Sequence, residues 1–551
     1  MNTGERMTID QVLPASFSQD VSDSATGSSY SGSAARADEL ISFLRQYTDE
    51  RVNSSIMDDR RSVTPGAILD LGKAGLFGLQ VQQKYGGQEL SHADTYRVIA
   101  QAAVMDTNLA LIVGVHNAIG VTPIRTFADE RVKAEVLPQI ARGTSLATLA
   151  VSEPDIGSNV QGIATTATSV PGGYVVNGTK CWISLGAWAG YVNLLTKTTD
   201  EKGRPKGLSA FLVEGRSAGF VPGLEAVTLG MRGFPQNRID INNLRVSSDA
   251  LLGAEGEGMA VAQSAFYGGR GMLGGACIGV MKRCLQLTAR FAARRSVATG
   301  KLLDNGRAQQ ILSECMAATR AVEILVQQVA DDLDAGREVS AELYSACKIL
   351  STELAFRVAD WAVQLLGARG YLDTNIVGKL FRDIRLLRIF EGATETLTVY
   401  MGSVIAKDPQ QLAELIGNRY GARSTLELLG KTYGDLMASL PESDRGTQTA
   451  YRNKHILANI TGELACWGIL AAMTEYTAKR TGTQLDQYTA FWAERQLADR
   501  MHTANDKKRQ YGVFDADFLS ERIAEYETSI GDVQQSLAGE DRKLDELLTR
   551  S

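Results

Sequence analysis

Three short segments carry residue types at spacings that could do chemistry. The first is Ala150-Val151-Ser152-Glu153-Pro154-Asp155-Ile156-Gly157-Ser158 and the second is Lys180-Cys181-Trp182-Ile183-Ser184. Hydroxyls at Ser152 and Ser184, beside backbone N–H groups, could hydrogen-bond a polar ring edge. The indole of Trp182 could stack on a planar molecule. The third segment runs from Gln364-Leu365-Leu366-Gly367-Ala368-Arg369-Gly370-Tyr371 through Arg382-Asp383 to Arg388-Ile389-Phe390-Glu391-Gly392. Its Gly-rich stretch lets backbone approach a phosphate or nucleotide closely. Glu391, between Phe390 and Gly392, is a carboxylate in apolar company, and burial would raise its proton affinity toward that of a general base. Each piece alone also fits ordinary packing, since a strand Trp is usually core and a Gly-rich helix connection is usually a turn. The combination and its order carry the signal.

These segments need elements to hold them, and the hydrophobic periodicity supplies four zones. Residues 36–144 read as a helical domain, with Leu40, Ile41, Phe43 and Leu44 on one amphipathic face. Leu109–Val115 is apolar all round, which predicts a buried helix. Residues 145–252 read as a β domain: Ile163–Val170, a turn at Pro171-Gly172-Gly173, then Tyr174-Val175-Val176, then strands at Val192–Thr196 and Leu208–Val213. Asn177-Gly178 predicts a hairpin turn. A β unit of that size is a barrel or a sandwich. Residues 253–407 return to long helices, broken near Thr299-Gly300 and Leu303–Gly306, and residues 408–551 form a further helical extension. Its best helix spans Ile456 to Tyr476, with Ile456, Ile460, Leu464 and Trp467 on one stripe. The fold class is therefore α+β.

Composition narrows the function. The 551 residues carry 57 Lys+Arg against 63 Asp+Glu, a net charge of −6, so no basic excess is available to neutralise nucleic-acid phosphates. The histidines His92, His116, His455 and His502 lie far apart, and the six cysteines form no C-x-x-C pair, which argues against a metal site or a secreted disulfide framework. No apolar run approaches the roughly 18 residues of a membrane helix. The Ser/Gly-rich stretch 15–35 carries Asp20 and Asp23 and no Lys or Arg, so it fits neither a secretory nor a mitochondrial leader. We read residues 1–35 as a disordered tail and the cytoplasm as the compartment.

Taken in order, the motifs resemble the acyl-CoA dehydrogenase family over about residues 40–405. The pattern (S/T)-E-P-x-x-G-S falls at 152–158, W-I-(S/T) at 182–184, Q-x-x-G-x-x-G at 364–370, and R-D-x-x-x-x-x-I-(F/Y)-E-G at 382–392. Tyr85-Gly86-Gly87, Leu229-Gly230-Met231-Arg232-Gly233, Leu252-Gly253 with Gly256-Glu257-Gly258, and Gly269-Arg270 add to it. The helical block after 409 makes the chain most similar to the very-long-chain subgroup.

That resemblance implies three domains, the third a four-helix bundle, and FAD-dependent formation of an α,β double bond in an acyl thioester. It implies Glu391 as the base that removes the α-proton, with hydride passing from the β-carbon to flavin N5. It places Ser152, Trp182, Ile183 and Ser184 at the flavin ring, and Arg295, Gln364, Gly367, Ala368 and Thr394 along the rest of FAD. Ser158, Arg270 and Gly392 match substrate-side positions. The implied substrate is a medium- or long-chain acyl-CoA, the implied acceptor an electron-transfer flavoprotein, and the implied assembly a homodimer or homotetramer. Some family members place the base just before the helix Arg. Here that residue is Gly269, which leaves Glu391 as the candidate.

Several family positions differ. Asn159 stands where an Asp is usual, Ala298 and Thr299 replace Phe and Gly, Asn305-Gly306 replaces an F-Q pair, Ala393 replaces Thr, and Thr398 replaces an Arg. Alternatives therefore stand beside the main expectation: the same chemistry on a carrier-protein thioester, an oxidase using O₂, and a weakly catalytic assembly or binding factor. Turnover of acyl-CoA against acyl-carrier substrate, peroxide formation in air, and the colour of the purified protein separate them.

Overall fold

The computed structural model describes residues 30–440, 447–506 and 513–531. The N-terminal domain comprises α1 (Ser33–Arg51), α2 (Ser54–Arg60), α3 (Pro65–Lys73), α4 (His92–Met105), α5 (Thr107–Val115), a π-helical turn at His116–Val121, α6 (Thr122–Phe127) and α7 (Glu130–Ala141). Short polar residues start most of these helices, as capping chemistry favours. Ser91 caps α4 through Asp94 N, Asp106 caps α5 through Asn108 N and Leu109 N, and Asp129 caps α7 through Val132 N. Every residue of α5 is buried, including the apolar run Leu109–Val115 for which burial is expected. The first helix begins inside the stretch expected as tail, because Ser33 Oγ donates to Asp94 (2.5 Å) and accepts from Ser91 N (2.9 Å), tying α1 to α4. The rest of that expected tail, residues 1–29, lies outside the described residues.

The middle domain is one eight-stranded sheet: β1 (Leu146–Ala150), β2 (Thr166–Val170), β3 (Gly173–Ser184), β4 (Ala189–Thr199), β5 (Pro205–Glu214), β6 (Phe220–Glu225), β7 (Gln236–Ser247) and β8 (Leu251–Leu252). The strand order is β6-β7-β3-β2-β4-β5-β8, with β1 added in parallel to β4. One face encloses Val176, Ile183, Phe211 and Ile239, and the other packs Leu149, Leu195 and Leu208 against Ile124, Ile140 and Val261 of the helices. Pro171-Gly172 makes the β2–β3 turn, with Val170 paired to Gly173. Asn177-Gly178 does not make a hairpin. Strand β3 runs straight through it with a register shift between Val176 and Gly178, a β-bulge. Gly178 is required there because Thr165 approaches its Cα side too closely for a Cβ, and the Asn177 carboxamide accepts from Asn243 N (2.8 Å) on β7.

The third domain is built on α8 (Gly258–Arg294), α9 (Gly306–Asp334), α10 (Ala341–Leu366), α11 (Ile376–Leu386) and α12 (Thr394–Lys407). Tyr267 stacks on Tyr344 at 4.6 Å, and one turn-pair later Gly274 faces Cys347 and Ser351, so α8 and α10 run parallel with α9 returning between them. Asn305, at a position that departs from the family pattern, caps α9 through Arg307 N and Ala308 N.

The extension adds α13 (Gln410–Ala413), α14 (Arg423–Ala438), α15 (Gln448–Thr481), α16 (Gln484–Ala504) and a terminal helix Ala516–Ile530. The expected 456–476 helix is the middle of α15, with Leu464 and Trp467 buried. It packs on α12 so closely that a Cβ on Gly402 or Gly462 would collide with the backbone of Ala458 or Thr398. Thr398, which replaces a family Arg, is thereby covered and 5% exposed. Two helical stretches, Thr107–Phe127 and Gln448–Thr481, do reach membrane-spanning length and apolarity, but 94% and 72% of their apolar windows are buried inside the protein.

Candidate active site

Glu391 sits at the apex of a tight loop between α11 and α12. Its φ is +58° and that of Gly392 is +93°, so two successive residues hold the left-handed conformation that only glycine adopts freely. The loop is held across its base from α10. Thr394 N donates to the Arg388 carbonyl (3.2 Å), and Lys348 Nζ donates to the same oxygen (3.3 Å). Arg388 Nε and Thr394 Oγ1 both donate to Glu353 Oε1, at 2.7 and 2.8 Å.

The residue as a whole is half-buried, but its Oε2 is cut off from solvent and has no hydrogen-bond partner among the described residues. It lines an apolar pocket whose walls include Ile99, Leu111, Gly114, Ala276 and Phe390. Burial pushes the Glu391 carboxyl up to about 7, against the opposing charges of Arg270 and Lys348. A buried, unpartnered carboxyl with that affinity is poised to take up or release a proton near neutral pH. Arg270 is 9% exposed, has an unpartnered Nε, and lies 5.4 Å from the Tyr267 ring.

A second group of residues lies at the edge of the sheet. Cys181 N donates to the Ser152 carbonyl (2.9 Å), and Thr148 Oγ1 donates to the Ser184 carbonyl (2.7 Å), which brings the first two motifs side by side. Beneath them the Lys180 ammonium, fully buried, donates to Glu153 Oε1 and the Val151 carbonyl, both at 2.9 Å. Burial pulls Glu153 up, but hydrogen bonds from Thr165 and Lys180 outweigh it and hold the carboxyl below its ordinary value. This ion pair staples segment 151–153 to β3, a role that sequence reading did not assign to either residue. Between Lys180 and Ile183 the β3–β7 register slips, and Trp182 at φ +55° turns outward and is 48% exposed. It is not a core Trp. Ile183 points inward at 3% exposure. An outward indole flanked by half-buried Ser152 and Ser184 presents an apolar face with polar edges, which fits a planar heterocycle.

The two groups meet through Ser158, whose Oγ lies 3.4 Å from Thr396 Oγ1 at the start of α12, next to Gly392 and Thr394. Arg295, Gln364, Gly367 and Ala368 are exposed at the C-terminal ends of the parallel helices α8 and α10. Sequence reading missed Lys348 and Glu353. The available signal was a lone cation in the apolar run Ala346-Cys347-Lys348-Ile349-Leu350.

Three family models match in order: acyl-CoA dehydrogenase N-terminal domain at residues 35–144, middle domain at 148–244 and C-terminal domain at 256–405. The chain belongs to the acyl-CoA dehydrogenase family. Among relatives, a Mycobacterium tuberculosis protein named "Probable acyl-CoA dehydrogenase FadE10" is 29% identical over 377 residues, 66% of this chain and 58% of that one. The very long-chain specific mitochondrial acyl-CoA dehydrogenase of Mus musculus is 27% identical over 369 residues, 66% of this chain and 56% of that one. The match thus spans less than two thirds of either relative's length. A solved structure of an acyl-CoA dehydrogenase complexed with FAD from Bacillus anthracis superposes with a TM-score of 0.72 at 23% identity. It covers 97% of this chain and 95% of its own, so the likeness in fold includes the C-terminal helices.

Proposed function

We propose that this protein oxidises a medium- or long-chain acyl thioester, preferentially acyl-CoA, to the trans-2-enoyl thioester, with FAD as resident cofactor and an electron-transfer flavoprotein as acceptor. The observation that carries this reading is Glu391 Oε2: buried, unpartnered, near-neutral in proton affinity and facing an apolar pocket.

The pocket walls suit an alkyl chain, since they offer no hydrogen-bonding side chain besides Glu391 itself. A chain seated there excludes water and brings its α-carbon to the carboxylate. Glu391 Oε2 then takes the α-proton as the C–H bond breaks. Arg270, beside it, stabilises the ionised carboxylate before transfer and faces developing negative charge during it. The loop's left-handed apex turns the Glu391 and Gly392 backbone N–H groups away from helical pairing, which leaves them available to a thioester oxygen. When bound, FAD supplies the two-electron acceptor for the β-hydrogen. Ser152, Ser184 and Trp182 would hold its ring, and Thr394, Arg295, Gln364, Gly367 and Ala368 would lie along its remainder, the last four from a second subunit of a homodimer.

The test is a chain-length series of acyl-CoAs, with palmitoyl-CoA among them, incubated with purified protein and a dye acceptor. Loss of two mass units from the acyl group identifies the enoyl product. Parallel runs with the acyl-carrier thioester, and without dye in air with peroxide detection, separate the carrier-dependent and oxidase readings. No product from any thioester defeats the proposal.

A further inference from the structure

The interior of the third domain holds a second charged group that the reaction as written does not use. Lys348, on α10, is fully buried. A buried ammonium is costly unless it is paired and hydrogen-bonded. Its one hydrogen bond among the described residues goes to the Arg388 carbonyl, three residues before Glu391. The charged and titratable groups facing it are Glu391 on the loop, Glu353 on its own helix, and Cys277 and Arg270 on α8. Facing Glu391 are Arg270 from α8 and Lys348 from α10, while the walls from α4 and α5 are apolar. Glu353 is already engaged by the Arg388 and Thr394 side chains. Lys348 is therefore the cation at the loop's base, and Glu391 is the carboxylate without a direct partner.

We propose that Lys348 is a positioning residue for Glu391: its ammonium fixes the loop by gripping the Arg388 carbonyl, and its charge favours the ionised form of the carboxyl. The inference rests on the assignment of Glu391 as the base. Three features support it. The bond falls on the same carbonyl that Thr394 N closes, so it acts at the pinch of the loop. Glu391 must be held in a left-handed conformation against its own preference, and a charge-assisted bond at the base contributes to that. Burial draws Lys348 down only to about 8, so it is charged at neutral pH, where Glu391 titrates.

The experiment is an infrared pH titration of the protonated carboxyl band in the FAD-loaded protein without substrate, taking wild type minus E391Q to isolate Glu391. It is repeated in K348M and K348R, alongside the pH–rate profile for palmitoyl-CoA oxidation. In K348M the Glu391 midpoint is expected to move up by roughly one pH unit, the effect of removing a nearby opposite charge. Oxidation then falls at pH 7 and recovers at pH 9. In K348R, which keeps the charge, the midpoint stays near that of wild type. Should K348M not fold, K348Q gives the same comparison. A K348M or K348Q protein that folds, binds FAD and titrates as wild type does overturns the proposal. A midpoint that moves in a protein that oxidises no thioester upholds the coupling and defeats the base assignment, so the two failures are distinguishable.

Discussion

Gly269 on α8 and Glu391 on the α11–α12 loop are matched in space: a Cβ on the glycine would stand 3.0 Å from Glu391 Oε2 and 3.2 Å from its carboxyl carbon. The glycine leaves the room in which the carboxyl of Glu391, the proposed base, sits. A G269A variant must push the carboxyl aside by a few tenths of an ångström. Because reacting groups are sensitive to sub-ångström misplacement, the rate of acyl-CoA oxidation is expected to fall roughly tenfold. The displaced atoms end a flexible side chain, so thermal unfolding should be unchanged. Steady-state kinetics and a calorimetric scan check both halves.

The raised affinity of Glu391 also makes a stability statement. In the folded protein it holds its proton up to about 7, against 4.5 for an ordinary glutamate. Between those values folding binds a proton, so this group's contribution to stability declines as pH rises through the window. Glutamine has no such penalty. E391Q should therefore melt with wild type near pH 4.5 and above it at pH 8, and a melting difference independent of pH would contradict the assignment.

Breaking the Lys180–Glu153 pair leaves a buried carboxylate with the Ala164 and Thr165 N–H groups but without its counter-charge. K180M is expected to lose about 3–5 kcal/mol of stability, measured by urea unfolding. It should also lose FAD before it unfolds, because the pair holds Ser152 against β3.

The α12–α15 crossing depends on two glycines. G462V places side-chain atoms where the Thr398 carbonyl lies, so α15 must lift from α12. Limited proteolysis should then cut within α15 faster in the variant than in wild type.

Much of this was legible in the sequence, for physical reasons that differ by element. Helix α5 was readable because the run Leu109–Val115, which has no polar face, can only be buried. Ser152, Trp182 and Glu391 were singled out because their neighbours form ordered motifs, and the structure sets Ser152 beside the strand that carries Trp182. The Asn177-Gly178 bulge was not, since the same dipeptide serves a turn or a bulge, and the choice is made by the approach of Thr165 from just before β2. The Lys180–Glu153 and Lys348–Arg388 contacts span 27 and 40 residues, and no local pattern encodes such pairings. The departures at Asn305 and Thr398 became intelligible only once one capped α9 and the other lay beneath α15.

The central claim is that Glu391 removes a proton from an acyl thioester. Its most direct test is an anaerobic stopped-flow mixing of the FAD-loaded protein with palmitoyl-CoA, following the visible flavin band in wild type and E391Q. The account predicts rapid bleaching in wild type and bleaching slowed by at least about 10²-fold in E391Q, with unchanged flavin content. Equal bleaching rates in the two proteins would contradict it.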